Sequence, residues 1–550
     1  MNTIEKLIQQ RRIEYVPKSN LLWAKAVSVF LREQRGKRIG FYGCGGVARK
    51  LVETDNSLDA ASAFFITSYG DQPRRFGDFR RVPLRDVPDL KPEIIILLSQ
   101  AYEKEMLENA QSLTKTEKVY TLGQIASIAI QDSAYRNEVE SIIFEKLQSQ
   151  LELIKSKAKI IASTKTPLLC FTAEYLTFSY LKRIKYLKGS GFRVFVIIAD
   201  KKVNNAIPIE QFKGLGYFDD FLVAEDFFLT LPDLLAAILP AIVYTVPSTS
   251  NLGVFAEQIY RKKFPVVVEY WDVKELLFEN PSELYQEQNQ QQAEEVYCKM
   301  LFCSSDGIII KDSPEVMSAL IAKYDYEPKW IHFPAYVSLA SIRTSKKKEP
   351  QKLPETYRIV YAGNLQNDPR KHAYYHHATI LEAVRKVTAL GISFDIFNAS
   401  DNDGGGYDQY LRLSSENPLF FYHFAVTPEE LSRRLPDYHF GWFCFDYHSR
   451  AVESKFFIET TFGSKISTYI EAGLPVLVSP EQRFLKDFIE KHGIGVGLAF
   501  AELGNLKRIL DGLDYRGLCS RVATFRKHWS MENNIERLVG FLNGAIAAYE

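Results

Sequence analysis

The chain has 550 residues, more than one hydrophobic core accommodates, so its length predicts two to four domains. Its composition, 46% hydrophobic and 25% charged, is typical of a soluble globular protein. The formal net charge of +1 gives no electrostatic reason to expect a nucleic-acid partner or a strongly anionic membrane.

The cysteines and the first residues bear on the compartment. The six cysteines form no C-x-x-C pair and lie mostly in apolar stretches, as small buried hydrophobic residues do. The N-terminus lacks the apolar core of a signal peptide, and no apolar run is long enough to span a bilayer. We therefore predict a cytoplasmic protein without a transmembrane segment, and leave peripheral membrane contact and oligomeric state open.

The first predicted domain covers residues 1–134. A helix over 19–35 leads into a strand over 38–42, and strands over 63–67 and 93–99 complete a Rossmann-like βαβαβ pattern. The turn after the first strand fits G-x-G-x-x-G/A, with Gly43, Gly45, Gly46 and Ala48, and is a candidate nucleotide-binding turn.

The second strand of this domain argues against a working NAD site. The acid that binds the ribose is expected at the end of that strand, about twenty residues after the glycines. Here the strand ends at Thr67, and Asp71 lies beyond it. The domain resembles small Rossmann-like accessory domains attached to some sugar-modifying enzymes and methyltransferases. We favour a non-catalytic or nucleotide-sensing role, with NAD binding as the alternative.

A helical connector is predicted over residues 135–164, because Ile143, Leu147, Leu151 and Ile154 recur at helical spacing. The second domain, 165–345, alternates predicted strands and helices, as a second doubly wound parallel sheet does. Two of its predicted strands are each followed by an acid beside an aromatic residue. Glu174 and Tyr175 follow the first strand, and Trp271 and Asp272 follow the fourth. In such sheets, ligands bind outside the carboxyl ends of the strands.

The third domain, 346–550, begins with a strand over 358–361 and a turn at Gly363 and Asn364. His372, His376 and His377 lack a further nearby ligand, and the loop over 401–406 lacks the spacing of a calcium loop, so no metal site is predicted. The last segment, 532–549, is helical and is a candidate to cross back to the middle domain.

Residues 439–480 have the order strand, loop, helix, strand. Ser464 is a candidate N-cap, Lys465 and Ile466 open the helix, and Gly463 before them allows a ligand close to the backbone. The N–H groups and positive dipole end of a helix that starts there suit a phosphate, and Lys465 adds a full charge. The alternative is an ordinary capped helix with a surface lysine.

The sequence of this segment resembles the donor site of GT-B glycosyltransferases. The resemblance rests on S-K-I-x3-I-E-A-G-L-P-V-L-V-S from Ser464, on V-T-P-E-E-L from Val426, and on Y-A-G-N-L from Tyr361 followed by Arg370 and Lys371. It covers roughly residues 356–529 well and the preceding domain more loosely. It implies an α/β fold with three Rossmann-like doubly wound parallel-sheet domains, of which the last two form a GT-B pair.

The resemblance also implies roles for individual residues. By this resemblance, the domain over 165–345 corresponds to the acceptor lobe. The domain over 346–550 corresponds to the lobe that binds a nucleotide diphosphate sugar as donor. The donor-binding residues would be Gly363, Asn364, Arg370, Lys371, Val426, Ser464, Lys465, Ile466 and Glu471.

The expected reaction is transfer of the sugar to a hydroxyl of a glycan, lipid-linked or protein acceptor, as in polysaccharide biosynthesis. Glu174 and Asp272 are candidate bases for the acceptor hydroxyl, Lys465 stabilises the departing diphosphate, and Tyr175 and Trp271 would contact the acceptor. No metal or other cofactor is required if Lys465 and the helix N-terminus neutralise the diphosphate.

One departure from the family keeps a second interpretation open. Many retaining members carry two glutamates around the donor-site helix, and the corresponding positions here are Thr460 and Thr468. Glu459 and Glu471 are near but out of register. A GT-B-shaped binding protein without catalysis is therefore one alternative, and an NAD-dependent sugar-modifying enzyme that uses the first domain is another.

Overall fold

The structure is a computed structural model. It describes residues 20–43, 45–55, 58–59, 61–67, 75–76, 78–98, 103–113, 118–157, 166–203, 207–248, 252–277, 288–344, 356–365, 380–399, 407–447 and 453–549. The chain divides into two compact units, Met1–Glu152 with Phe228–Thr230, and the remaining residues. None of the described helices is both long and apolar enough to cross a bilayer.

The first unit contains a six-stranded sheet in the order β3-β4-β2-β1-β5-β6, parallel except for the β3–β4 pair. Its strands are β1 Ile39–Tyr42, β2 Ala63–Thr67, β3 Arg75–Phe76, β4 Phe79–Pro83, β5 Ile94–Leu97 and β6 Val119–Tyr120. Its helices are α1 Asn20–Arg32, α2 Gly46–Thr54, α3 Val87–Leu90, α4 Glu103–Leu113, α5 Leu122–Ala129 and α6 Ser133–Ser156, of which the part up to Glu152 belongs to this unit. The strands β1, β2 and β5 are the three that the apolar pattern predicts.

The connector helix α6 runs without a break for 24 residues. Its predicted apolar stripe is real, because Ile154 is buried and Ile143, Leu147 and Leu151 are half-buried. The helix begins before the predicted start at 135, since Asp132 accepts a hydrogen bond from the Tyr135 N–H at 2.9 Å and thereby caps its first turn.

The second unit contains two large parallel sheets, which we call the N-lobe and the C-lobe. The N-lobe sheet has the order β11-β8-β7-β12-β13-β14-β15, and β9 and β10 form a separate antiparallel pair. The strands are β7 Leu168–Ala173, β8 Arg193–Ile198, β9 Lys202–Val203, β10 Ile207–Pro208, β11 Asp220–Val223, β12 Ile242–Val246, β13 Val266–Tyr270, β14 Gly307–Ile310 and β15 Trp330–His332. The helices are α7 Phe178–Gly189, α8 Ile209–Gly214, α9 Phe227–Ile238, α10 Leu252–Tyr260, α11 Lys274–Leu277, α12 Gln288–Ser304, α13 Pro314–Tyr324 and α14 Leu339–Thr344.

The C-lobe sheet has the order β18-β17-β16-β19-β20-β21 and is parallel throughout. Its strands are β16 Arg358–Gly363, β17 Ser393–Asn398, β18 Phe420–His423, β19 Phe440–Phe443, β20 Val476–Val478 and β21 Gly495–Gly497. Its helices are α15 Ile380–Thr388, α16 Asp408–Glu416, α17 Pro428–Arg434, α18 Lys455–Thr460, α19 Lys465–Ala472, α20 Arg483–His492, α21 Leu506–Asp511, α22 Tyr515–His528 and α23 Met531–Tyr549. The predicted α/β fold is confirmed, and strand order reverses between β16 and β19 as in a doubly wound sheet.

The last helix, α23, crosses back to the N-lobe as proposed from the sequence. Its buried side chains Met531, Ile535, Leu538 and Leu542 belong to the same core as α7 and the N-lobe strands. Two backbone hydrogen bonds fix the start of the crossing. The N–H of Val337 is donated to the carbonyl of Trp529, and the N–H of Met531 is donated to the carbonyl of Val337. The two lobes are therefore joined covalently at two places, before β16 and before α23.

Candidate functional site

Lys465, the first residue of α19, lies across the end of β16. A Cβ added to Gly363 would overlap Cε of Lys465 and lie 2.7 Å from its Cδ, so a glycine at that strand end leaves room for the lysine stem. The ammonium lies 5.6 Å from the ring centre of Tyr361 on β16 and 5.7 Å from that of Phe443 on β19. Lys465 thus occupies the point where strand order reverses, the usual ligand position in such sheets.

Burial lowers the pKa of the half-buried Lys465 amine to about 8. The carboxylates of Asp272 and Glu453 oppose that effect, and the positive charge of Lys311 adds to it. An anion placed beside this amine would favour its charged form. The structure places Lys465 next to Gly363, as the sequence analysis expects, and its part in donor binding remains a prediction.

The N-lobe contributes the ends of β13 and β14 to the same place. Asp272 is 42% exposed and lies 3.6 Å from the Lys311 ammonium, which is itself 4% exposed. That ammonium also lies 5.5 Å from the ring centre of Trp271, and Tyr180 packs edge-on against the same indole at 4.7 Å. Trp271 is therefore partly covered within the protein, and the surface that it offers to a sugar is smaller than a fully exposed ring would give.

The other pair of predicted N-lobe residues follows β7. The backbone carbonyl of Glu174 accepts the N–H groups of Ala199 and Asp200 at 3.0 and 3.1 Å, which fixes the turn after the strand. Its side chain is half-buried, and Tyr175 beside it is 45% exposed. Asp272 acts electrostatically on Lys465 and raises the pKa of that amine. Asp272 and Glu174 both remain candidates for the group that accepts the proton.

The start of α19 differs from the expected open N-terminus. Ser464 has helical backbone angles and its side chain makes no capping hydrogen bond. The N–H groups of Ile466 and Ser467 are donated to the carbonyls of Gly463 and Ser464, at 3.1 and 3.2 Å. Those two groups are used inside a tight turn, so Ile466, whose side chain is also buried in the core, does not supply the free N–H that the sequence analysis expected.

Glu471 has a structural position rather than an open one. Its carboxylate lies 2.5 Å from the Lys182 ammonium of the N-lobe and accepts the N–H of Ser338 at 2.7 Å. Its backbone carbonyl accepts a hydrogen bond from Arg526 at 3.0 Å. These bonds use a buried carboxylate to join α19 to α7 and to the segment before α14, so Glu471 links the lobes. Its part in donor binding stays a prediction.

A cavity of about 710 Å³ lies between the lobes on the side of Glu471. Helix α7, helices α17 and α19, and the start of α23 line it. Tyr217 donates a hydrogen bond to Glu429 across it at 2.7 Å, and Tyr186 is 2.7 Å from the Ser338 hydroxyl. The Tyr217–Glu429 bond thus joins the two lobes across the cavity.

The remaining donor-site residues fall into two groups. Asn364 is exposed after β16, and its carbonyl accepts the Tyr361 hydroxyl at 2.6 Å, while Val426 packs against the C-lobe core before α17. Arg370 and Lys371 lie outside the described residues, as do His372, His376, His377 and the loop over 401–406. Among the described residues, no group of three or more His, Cys, Asp or Glu side chains is placed to hold a metal ion.

In the first unit, the glycine turn packs against the unit itself. Gly43 has a left-handed φ of +111°, and α2 begins at Gly46 with Ala48 buried in its first turn. A Cβ on Gly46 would overlap the side-chain amide of Asn20, so this glycine is explained by close packing of α1 on α2. Apart from its chain neighbours, no described residue has an atom within 4 Å of the Cβ position of Gly45.

Sequence reasoning did not identify three residues of the Lys465 site, namely Lys311, Asp312 and Glu453. Lys311 and Asp312 follow β14 directly, and their position at the carboxyl end of a predicted buried strand was a usable signal. Glu453 lies in the loop before α18, where the sequence shows no comparable pattern. Its carboxylate is 6% exposed and raises the pKa of Lys465.

Three comparisons with known proteins bear on this site. Residues 394–539 match the family model described as glucosyltransferase 3-like, C-terminal domain. The glycosyltransferase resemblance seen in the sequence is confirmed for this part of the C-lobe. A search of curated protein sequences gives no significant match.

Several solved structures are similar to the chain. HepE from Anabaena, in complex with UDP and glucose, shares 12% identity with a TM-score of 0.48, over 68% of this chain and 99% of that one. The pneumococcal O-GlcNAc transferase GtfA, in complex with UDP and GlcNAc, shares 13% identity with a TM-score of 0.38, over 58% of this chain and 60% of that one. The α,α-trehalose 6-phosphate synthase from Burkholderia multivorans shares 8% identity with a TM-score of 0.44, over 70% and 98%.

Proposed function

We propose that this chain is a glycosyltransferase that moves a sugar from a nucleotide diphosphate donor to a hydroxyl acceptor, with the diphosphate bound at Lys465. The observation that carries the proposal is the position of Lys465 over Gly363, at the strand-order reversal of a lobe that matches a glucosyltransferase family model. The family description names a glucosyl group, so nucleoside diphosphate glucose is the first donor class to test.

The charge of Lys465 suits the chemical step. As the bond between sugar and diphosphate breaks, negative charge grows on the departing phosphate oxygen. A cation in a partly buried site acts on that charge more strongly than it would in water. Lys465 should therefore matter more for turnover than for ground-state binding of the donor.

Asp272 is our candidate for the group that accepts the acceptor proton. It is partly exposed, it lies beside Trp271, and it acts electrostatically on Lys465, so its carboxylate shares one site with the proposed diphosphate position. Glu174 is the second candidate, at the end of β7. The roles of the described donor-site residues Asn364, Val426 and Ser464 remain part of the proposal, as do those of Arg370 and Lys371.

The proposal also covers the setting of the reaction. We propose a cytoplasmic location, supported by six cysteines that form no C-x-x-C pair and lie mostly in apolar stretches. The acceptor class remains a glycan, lipid-linked or protein hydroxyl.

The test is nucleotide release from UDP-, GDP- and TDP-glucose by the full chain, with thermal-shift measurements on the same donors. We expect one donor to raise the apparent melting temperature and to release its nucleotide slowly even without an acceptor. Stabilisation by a donor without any release, whatever the acceptor, would favour the binding-protein alternative. Absence of both effects for every nucleotide sugar would refute the proposal.

A further inference from the structure

Asp312 of the N-lobe holds the segment of the C-lobe that leads into Lys465. It follows β14 after Lys311 and is buried. Its Oδ1 accepts the backbone N–H of Phe462 at 2.7 Å and the hydroxyl of Thr461 at 3.1 Å. A buried carboxylate that accepts a backbone N–H from another lobe forms a stronger bond than a neutral acceptor would.

A third bond continues the same contact. The N–H of Ser313, next to Asp312, is donated to the carbonyl of Thr460 at 2.9 Å. Three consecutive residues, Thr460 to Phe462, are thus bound to the turn after β14. Only Gly463 and Ser464 separate them from Lys465.

We propose that Asp312 is a positioning residue, which fixes the Thr460–Phe462 segment across the lobes and thereby sets where the Lys465 ammonium lies in the diphosphate site. This inference rests on the proposed function for its catalytic consequence, although the geometric part does not. It means that the donor site is completed by a residue of the opposite lobe.

The packing around the segment explains why position matters. A Cβ on Gly463 would overlap the Phe443 ring, and the Lys465 stem fills the space above Gly363. Both contacts are close, so a shift of the segment has to move the lysine out of its place between the rings of Tyr361 and Phe443. A misplacement of about 1 Å in a catalytic group can cost on the order of a hundredfold in rate.

Lys311 keeps the charge of Asp312 compatible with burial. The two side chains are 2.8 Å apart. Burial lowers the pKa of Lys311, but the nearby Asp312 and Asp272 carboxylates more than offset this, and the pKa lies above its ordinary value. Burial raises the pKa of Asp312 above its ordinary value, and the Lys311 ammonium and the N–H of Phe462 oppose that rise. Both partners therefore favour the acceptor form of Asp312 in a buried place.

The competing explanation is that Asp312 only contributes to stability. Asp306 provides a matched control, because it lies just before the same strand β14 and accepts the N–H of Val266 at 2.8 Å and the Lys262 ammonium at 2.7 Å. Both of those partners belong to the N-lobe. Asp306→Ala thus removes the same kinds of bond as Asp312→Ala without touching the segment before Lys465.

The first experiment measures the titration of Lys465 without any need for turnover. Competitive amine labelling of the full chain over a pH series, followed by peptide mapping, reports the pKa of this amine, expected at about 8. The charged groups that act on it are Asp272 and Glu453, which raise the value, and Lys311, which lowers it.

The sign of the change separates the two explanations. In Asp312→Ala, loss of a nearby negative charge alone would lower the pKa of Lys465 further, whereas release of the amine toward solvent would raise it to the ordinary lysine range. We expect the rise in Asp312→Ala, and a value close to wild type in Asp312→Asn, which keeps the acceptor oxygen, and in Asp306→Ala. An unchanged or lowered value in a folded Asp312→Ala would overturn the proposal.

A variant that removes one bond covers the case in which Asp312→Ala does not fold. Thr461→Val deletes only the hydroxyl that Asp312 accepts, at similar volume, and should give a smaller rise in the same direction. If Asp312→Ala does not fold, an unchanged titration of Lys465 in Thr461→Val overturns the proposal.

Kinetics then link position to catalysis. With an active donor, Asp312→Ala should lower kcat by about tenfold to a hundredfold with a smaller change in KM, and Asp312→Asn should recover most of the loss. A wild-type chain that turns over no donor would refute the proposed function but would leave the labelling result to decide the role of Asp312. An Asp312→Ala variant with wild-type kcat would overturn the positioning role.

Discussion

Two glycine turns in this chain follow the first strands of doubly wound sheets, and they hold different side chains. At Gly46 in the first unit, the space of the missing Cβ is taken by the neutral amide of Asn20. At Gly363 in the C-lobe, the same kind of space is taken by the stem of Lys465. One glycine thus serves helix packing, and the other serves to place a cation at a strand end.

The two turns also differ in how closely they match a glycine pattern and in the charge beside them. The first turn matches G-x-G-x-x-G/A more closely, yet it brings no described charged side chain to the Gly46 position. The second turn has a weaker pattern, yet it adjoins a lysine whose pKa is lowered by burial and tuned by two carboxylates. The proposed function therefore assigns the donor diphosphate to the turn with the charge and not to the turn with the closer glycine spacing.

The most severe test of this contrast is removal of the cation. Lys465→Ala should keep the fold and lower kcat for sugar transfer by about a hundredfold or more, comparable to the loss of one charge-stabilising donor. Steady-state kinetics with the active donor would measure it. Lys455→Ala is the matched control, because Lys455 also opens a helix but its side chain is 83% exposed. Equal losses in the two variants would show that Lys465 has no special role.

A pH series sharpens the contrast through the charge itself. The folded-state pKa of Lys465 is lowered to about 8, so the amine is charged below that pH and loses its proton above it. Donor affinity should therefore weaken as pH rises through about 8, approaching tenfold per pH unit while the bound lysine stays charged. Calorimetric titration with a nucleotide sugar would measure this.

Arginine at the same position tests the origin of that pH dependence. Lys465→Arg stays charged throughout, so any donor affinity that it retains should be nearly independent of pH in this range. If the wild-type chain and Lys465→Arg lose affinity in parallel as pH rises, another group is responsible.

Replacing Gly46 and Gly363 by alanine, one at a time, compares the packing of the two turns directly. Neither Gly46 nor Gly363 has a positive φ, so a Cβ tests packing rather than backbone strain. Gly363→Ala should lower kcat by about tenfold, because the flexible Lys465 stem can move but loses its place. Gly46→Ala should destabilise the first unit by pressing on Asn20 and leave donor turnover unchanged. A comparable loss of turnover in folded Gly46→Ala would remove the contrast.

The sequence identified the parts of the molecule that local patterns control. Apolar runs located β1, β2, β5 and β16, and the strand, loop, helix order over residues 439–480 placed Lys465 at the start of a helix. Parallel sheets gather the ends of their strands at one edge, which brings that helix start to Gly363. The short edge strands β11 and β15 were missed, since Asp220–Val223 and Trp330–His332 offer too few residues for a periodic signal.

The contacts between the lobes were beyond sequence reasoning. Glu471 reads as part of a donor motif, but its burial against Lys182 and the Ser338 N–H depends on residues that lie far apart in the chain. The interlobe role of Asp312 likewise depends on its hydrogen bonds with Thr461 and Phe462, which lie about 150 positions later in the chain. The use of the Ile466 N–H inside a turn depends on backbone angles that the residue types did not specify.

The smallest expected effect belongs to the first turn and tests whether it takes part in donor binding at all. Gly45 has no positive φ, and among the described residues beyond its chain neighbours none has an atom within 4 Å of its Cβ position, so Gly45→Leu should fold. Because the proposed donor site is built from C-lobe and N-lobe residues of the second unit, we expect nucleotide-sugar affinity and turnover to stay at the wild-type level. Thermal-shift and kinetic measurements on the full chain check this. A large loss of donor affinity in the folded variant would make the first turn part of the donor site and contradict the contrast between the two glycines.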